Sequence, residues 1–238
     1  MPAIEKEVII FGEGGVGKTC FTDMFMRERH FAFYDPTVTT PERKRVVIDG
    51  LAWSLRLVDL RASLFQESDL PGETGFAPRY FVKMLRDADG IIFLYDITSK
   101  ASYEHIVNEG YLDACRWRRM YRENTTTLRS YPAGMQRFGC ILVGNKLDLG
   151  QEKREVDRDV AQEWAESMGM QFFELSAFSN ESIKEAMTAL VKSMIKAEER
   201  DNEDLSEGEN LKKSVVAKAK KLASGVPFRG TQRKMISL

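Results

Sequence analysis

From Glu5 to about Lys196, short apolar runs alternate with segments whose apolar residues recur at helical spacing. This is the pattern of a mostly parallel sheet covered by helices, so the class is α/β. Strands are predicted at Val8 to Phe11, Arg45 to Ile48, Leu51 to Val58, Gly90 to Tyr95, Cys140 to Val143 and Gln171 to Leu175. Asp49-Gly50 joins the second and third and is a strong hairpin signal, which makes that pair antiparallel. Helices are predicted at Gly17 to Arg27, Val156 to Met168 and Glu181 to Lys196. In the last of these Ile183, Met187, Leu190, Val191 and Met194 fall on one stripe, which is read as core packing rather than a cofactor box.

Two segments interrupt the rhythm. Ala62 to about Pro78 is polar, contains Pro71, Gly72 and Gly75, and reads as a long loop. Gly110 to Gln136 mixes Arg116, Trp117, Arg118, Arg119, Tyr121 and Arg122 with Tyr131-Pro132-Ala133-Gly134, and reads as a helix extension followed by a surface loop. Aromatic and basic residues together stack on nucleic acid in some proteins. A helix with one packed and one solvated face accounts for them more simply, and no nucleic-acid partner is expected. After Lys196 the composition changes. Ser193 to Asn210 carries seven acidic and two basic side chains, whereas Leu211 to Leu238 carries eight basic and no acidic ones. The expected organisation is a domain over 1–196, with insertions near 62–78 and 110–136, then an acidic linker and basic tail over 197–238.

Composition adds constraints on partners and compartment. Lys plus Arg at 35 nearly balances Asp plus Glu at 36, so whole-chain charge points to no polyanionic partner. Cys20, Cys115 and Cys140 are scattered, with no paired spacing, which fits a reducing compartment and neither a disulfide framework nor a zinc knuckle. No stretch approaches the roughly 20 apolar residues of a membrane span. The start, Met-Pro-Ala-Ile-Glu-Lys-Glu, lacks a signal-peptide core and has Pro2 where myristoylation needs glycine. A cytoplasmic protein is expected.

Gly12-Glu13-Gly14-Gly15-Val16-Gly17-Lys18-Thr19 fits G-x-x-x-x-G-K-[ST], directly after an apolar strand and opening a helical pattern. Glycines let successive backbone N–H groups converge on phosphate oxygens, and the helix aims its positive end at the same anion. Lys18 adds a point charge to the outer phosphates, and the Thr19 hydroxyl suits the Mg2+ that bridges them. This motif alone indicates a P-loop NTPase. The base is decided by Asn145-Lys146-Leu147-Asp148, which follows the strand Ile141-Leu142-Val143 and so sits at the carboxyl edge of a parallel sheet. A carboxylate at Asp148 accepts both the ring N–H and the exocyclic amine of guanine, an arrangement adenine cannot match.

With these motifs in place the chain resembles a Ras superfamily small GTPase over about residues 5 to 196, and most closely the Ras branch. Tyr34-Asp35-Pro36-Thr37 looks like that branch's first switch, Arg45 to Gly50 like its hairpin, and Ala88-Asp89-Gly90 followed by Tyr95-Asp96-Ile97-Thr98 like its fourth strand. The resemblance implies a P-loop NTPase small G domain, a six-stranded mostly parallel sheet with one antiparallel edge pair, flanked by helices. It implies that Thr37 meets Mg2+ and the terminal phosphate, ordering its loop only in the GTP state. Cys20 follows the phosphate loop among the nucleotide contacts. Ser176-Ala177-Phe178 stands in place of a Ser-Ala-Lys loop, where the Ala177 N–H would meet the guanine oxygen and Phe178 replaces the usual lysine. His30 and Phe31 both sit where the family places an aromatic against guanine.

The second switch departs from the family pattern Asp-x-x-Gly-Gln. Asp59-Leu60-Arg61-Ala62-Ser63 has alanine for the glycine and serine for the glutamine. Asp69-Leu70-Pro71-Gly72-Glu73, ten residues on, has the glycine but glutamate in the catalytic place. Asp59 ends a strand whose Leu51, Trp53, Leu55 and Leu57 share one face, so it is favoured for the Mg2+ outer shell; neither register supplies glutamine.

The expected function is a monomeric signalling switch that binds GTP and GDP, engages effector and regulator proteins, and hydrolyses slowly, with Lys18 and Thr37 in the catalytic machinery and Ser63 or Glu73 in the degenerate glutamine place. A nucleotide-loaded pseudo-GTPase acting as a scaffold is the alternative. A P-loop kinase for a small metabolite fits poorly, because Asn145 to Asp148 selects guanine. Relatives commonly end in a prenylated cysteine, but Met235-Ile236-Ser237-Leu238 has none, so any membrane contact is expected without a prenyl group. Leu211, Val215, Ala219 and Leu222 share one helical face beside Lys212, Lys213, Lys218, Lys220 and Lys221, a pattern that suits anionic lipid at the plasma membrane, an acidic partner, or merely a solvated tail.

Overall fold

The computed structural model describes residues 2–28, 43–61, 83–85, 87–115 and 138–224. Among them, β1 (Ile4–Gly12), β2 (Lys44–Ile48), β3 (Leu51–Arg61), β4 (Gly90–Asp96), β5 (Gly139–Asn145) and β6 (Gln171–Glu174) form one sheet in the order β2-β3-β1-β4-β5-β6. Every neighbouring pair is parallel except β2 with β3. All six segments read from the sequence are present. The hairpin turns as its dipeptide dictates: Asp49 (φ 50) and Gly50 (φ 77) both take the left-handed conformation of a two-residue turn whose twist matches the strands.

Apolar runs without alternation mark the strands buried on both faces. In β1, Val8 and Ile10 face one layer while Ile9 and Phe11 face the other, and none is more than 1% exposed. Helix α1 (Lys18–Arg27) packs Phe21, Met24 and Phe25 into the first layer, together with Ile183, Met187, Leu190, Val191 and Met194 of α4 (Asn180–Ser224). The second layer holds Tyr103 of α2 (Lys100–His105), then Ile106 and Tyr111 beyond it, and Ala161 and Ala165 of α3 (Arg158–Ser167). Strand β3, between β2 and β1, buries Trp53 and Leu55 and leaves Leu51 half exposed at its start.

Helix α2 is absent from the sequence-based helices. Its buried positions are Ser102 and Tyr103, followed by Ile106, Gly110, Tyr111 and Ala114, so most of the stripe is written in small and aromatic residues. It also changes pitch: a π turn at Ile106–Gly110 follows His105 and the chain stays helical to Cys115. The acidic block after Lys196 is helical too, since α4 runs to Ser224. The chain divides into one compact unit ending at Glu198 and another beginning at Glu199. No described helix is long and apolar enough to cross a membrane.

One contact fixes how closely α4 approaches the sheet. Gly90 and Gly139 open the adjacent strands β4 and β5, and both lie under Met194; a Cβ on Gly139 would stand 2.7 Å from the Met194 Cα. At the same place the Ser193 hydroxyl accepts the Cys140 N–H (3.0 Å) and donates to the Cys140 carbonyl (3.3 Å). β6 begins pairing only at Ile141, one residue further on.

Candidate functional site

Strand β1 delivers the phosphate loop to the carboxyl edge of the sheet, between β3 and β4. A Cβ on Gly12 would lie 2.2 Å from the Leu94 carbonyl oxygen, so the strand can leave the sheet there only as glycine. The loop then turns through Gly15 (φ 81) and Gly17 (φ 99) into α1. A Cβ on Gly17 would also stand 2.3 Å from Asn145 Nδ2. The first turn of α1 has neither an acidic residue nor a side-chain cap, which leaves its N–H groups and dipole for an anion. Lys18, 7% exposed, folds back over the loop and donates to the carbonyls of Gly12 (2.8 Å) and Glu13 (2.7 Å).

The parallel register Ile10↔Asp59 carries β3 to the same edge. There the Thr19 hydroxyl donates to Asp59 Oδ2 (3.1 Å), and Asp59 Oδ1 lies 3.8 Å from Lys18 Nζ. A hydroxyl and a carboxylate are hard oxygen donors that suit Mg2+, which takes few protein ligands and completes its shell with phosphate oxygens and water. Among the described residues no group of three or more His, Cys, Asp or Glu is placed to hold a metal ion by itself. His30, Phe31, Tyr34, Thr37, Ser63, Asp69 and Glu73 lie outside the described residues.

The base end is built from side chains. Asn145, 1% exposed, donates from Nδ2 to the Val16 carbonyl (2.8 Å) and accepts the Ala177 N–H at Oδ1 (2.8 Å). One amide thus ties the phosphate loop to the two loops at the ends of β5 and β6. The Ala177 N–H, expected to meet the guanine oxygen, is directed at Asn145. Lys146 (φ 69) extends over the sheet edge to Asp96, Nζ to Oδ2 2.6 Å. Asp96 in turn accepts the Thr98 N–H (2.8 Å) and hydroxyl (2.7 Å). Asp148 is exposed, its Oδ1 accepting the Ser176 hydroxyl at 2.5 Å. Leu147 and Phe178, 39% and 59% exposed, are large apolar side chains beside it.

Beneath these loops Arg154 holds Glu174 through two parallel bonds of 2.7 and 2.9 Å and also donates to the Val156 carbonyl. The Glu174 carboxylate keeps the Arg154 guanidinium above its ordinary pKa, and the pair fastens the chain after Asp148 to β6. Burial and the Asp23 carboxylate push the pKa of the Cys20 thiol up. Asp96, Arg154 and Glu174 are additions to the site residues expected from sequence. The signal for Asp96 was its place at the last position of β4, opposite Asn145 in register; the Arg154–Glu174 pair left no local signal.

The Ras family model matches residues 7–196. Ras-related protein Rab-15 from Homo sapiens is 29% identical over 200 residues, covering 83% of this chain and 80% of the relative. Ras-like protein rasZ from Dictyostelium discoideum is 28% identical over 206 residues, 86% and 83% respectively. Ras-related protein Rab-13 from Bos taurus is 30% identical over 191 residues, 79% of each chain. A mixed six-stranded sheet, a phosphate loop welded to the base loop through Asn145, and similarity that runs through both ends of the site converge. The chain belongs to the Ras family of small GTPases.

Proposed function

We propose that this protein is a guanine-nucleotide switch that binds GTP and GDP and hydrolyses GTP slowly on its own. The observation that carries the reading is the Asn145 side chain, which joins the phosphate loop to the loop bearing Asp148, so that phosphate and base are recognised as one unit. Asp148 accepts the two guanine donors, Phe178 and Leu147 cover the faces of the base, and Lys18 exchanges its two carbonyl partners for the outer phosphates. Thr19 and Asp59, with Thr37, would hold Mg2+, which would supply charge neutralisation for the phosphates when bound.

Hydrolysis needs a water oriented against the terminal phosphorus as the bond to the leaving GDP oxygen breaks. Ser63 is too short to reach that water directly. In the alternative register a glutamate at position 73 is long enough for that task but brings negative charge beside a phosphate. Both registers give turnover about tenfold or more below that of a glutamine-bearing relative, roughly 1.4 kcal/mol of barrier. Single-turnover phosphate release from purified GTP-loaded protein tests this, together with Ser63→Gln and Glu73→Gln: the correctly placed amide accelerates release. Release as fast as from a glutamine-bearing relative overturns the slow-turnover reading. Complete absence of release in all three proteins supports the scaffold alternative, and analysis of the nucleotide that copurifies checks the base.

The basic segment after Leu211 extends the proposal to a cytoplasmic protein that contacts anionic membrane peripherally. Its lysines and apolar residues share a helical period, and α4 reaches Ser224. Sedimentation with anionic vesicles is expected to be lost at high salt; no salt-sensitive binding removes the membrane role.

A further inference from the structure

The second residue of the phosphate loop is an acid. Glu13 stands between Gly12 and Gly14 in a loop whose task is to gather polyanions, and a carboxylate facing the phosphates there opposes binding. Its main-chain carbonyl receives Lys18 Nζ at 2.7 Å, while its side chain leaves the loop toward helix α2, with Oε1 3.4 Å from His105 Nε2. Oε2 stays within 3.4 Å of the Gly14 N–H, so the charge remains beside the loop's amides. The other ring nitrogen of His105 lies 3.7 Å from Glu109. Each ring nitrogen thus has a carboxylate oxygen beside it.

His105 is itself well seated. Its side chain is 10% exposed, and its ring stacks on Phe11, the residue before Gly12, with centroids 6.4 Å apart and planes inclined by 18°. The π turn follows directly, and it brings Gly110 so close to Phe11 that a Cβ there would lie 2.5 Å from the ring. Pitch change, ring stack and ion pair therefore all converge on the last residues of β1, at the root of the phosphate loop. π turns often occur at functional sites, since the extra residue re-aims neighbouring side chains.

We propose that His105 is a positioning residue for nucleotide binding: its ring holds the Glu13 carboxylate against α2, so that the phosphate loop can receive a polyanion despite carrying an acid. The inference rests on the nucleotide-binding reading above. Its signature is a coupling between the two side chains that appears in nucleotide affinity.

Fluorescent GDP titrations of the full chain test it with four variants. His105→Phe keeps the ring on Phe11 and removes the nitrogens that face Glu13; it is expected to weaken GDP about tenfold, which is about 1.4 kcal/mol. His105→Arg, a cation that stacks on aromatic rings, retains affinity within about twofold. Glu13→Gln tightens binding severalfold at low salt. In Glu13→Gln/His105→Phe the loss caused by the second change shrinks to less than about twofold, and added salt narrows the gap between His105→Phe and the unaltered protein. An equal loss from His105→Phe with and without the Glu13→Gln change means that the histidine only packs, and the proposal is overturned. Failure of the unaltered protein to bind GDP at all sinks the nucleotide reading and this inference with it, whereas binding with no coupling sinks this inference alone.

Discussion

At the phosphate end of the site the path of the loop is set by residues without side chains; at the base end the placed groups are side chains, each locked by a partner. Gly12 and Gly17 are glycine because a Cβ would strike Leu94 and Asn145, while Gly14 and Gly15 have open space within 4 Å of theirs. Asn145, Lys146 and Asp148 hold their places through Val16, Ala177, Asp96 and Ser176. One end thus depends on the path of the chain and the other on a hydrogen-bond network. Damage to each takes a different form: the first fails by sterics, the second by unsatisfied polar groups.

The largest effect breaks the comparison at the point where the two ends meet. Gly17→Ala places a methyl at φ 99 and against the Asn145 amide. Nucleotide affinity is expected to fall by more than about 100-fold, some 3 kcal/mol, because the loop and the base loop are displaced together. Titration with fluorescent GDP and with fluorescent GTP checks it; a loss confined to one nucleotide argues against a common weld.

Asp148→Asn acts on the base end alone. The amide presents a donor where the carboxylate accepted, so guanine binding is expected to weaken by about 2 kcal/mol or more and xanthine to gain. Competition between GDP and xanthosine diphosphate reads the ratio, and unchanged preference counts against Asp148 as the base-reading residue.

Arg154→Met removes the brace under the base loop while keeping the apolar stem. Glu174, with its side chain 5% exposed, loses its bidentate partner and keeps only Arg158 at 3.7 Å. A stability loss of about 3 kcal/mol is expected in denaturant unfolding. Bound nucleotide protects the native state by mass action, so the measurement belongs on nucleotide-free protein.

The smallest effect is Gly14→Ala, which meets no atom within 4 Å and has no left-handed backbone to strain. Stability of the nucleotide-free protein is expected within about 0.5 kcal/mol of the original. A large loss shows that the open side of the loop is more constrained than its contacts indicate.

These differences also explain what could be read from the sequence. Strands β1, β4 and β5 were legible because burial on both faces writes itself as runs of Val, Ile, Leu and Phe, β3 because Leu51, Trp53, Leu55 and Leu57 alternate with other residues, and Asp49-Gly50 announces its own turn. The phosphate loop and Asn145 to Asp148 were legible because their chemistry is local. Helix α2 was not, since Ser102, Gly110 and Ala114 face the core without resembling an apolar stripe. Nor were the pairs that support the site: Asp96 with Lys146, Arg154 with Glu174 and Glu13 with His105 join residues 20 to 92 positions apart, and only the folded chain brings them together. The choice between Asp59 and Asp69 turned on strand continuity; β3 carries Asp59 to Thr19, and Asp69 lies outside the described residues.

The Ser193 hydroxyl gives the opposite end of the sheet a probe of its own. By serving both main-chain groups of Cys140, where β6 has not yet begun to pair, it completes the ladder from a helix rather than from a strand. The Cys140 amide proton is therefore expected to resist exchange with deuterated solvent for as long as the helix stays on the sheet. In Ser193→Ala that one amide should exchange far sooner while its neighbours in β5 keep their protection. A single resonance thus reports whether the helix is docked, at a distance from the nucleotide and independently of it.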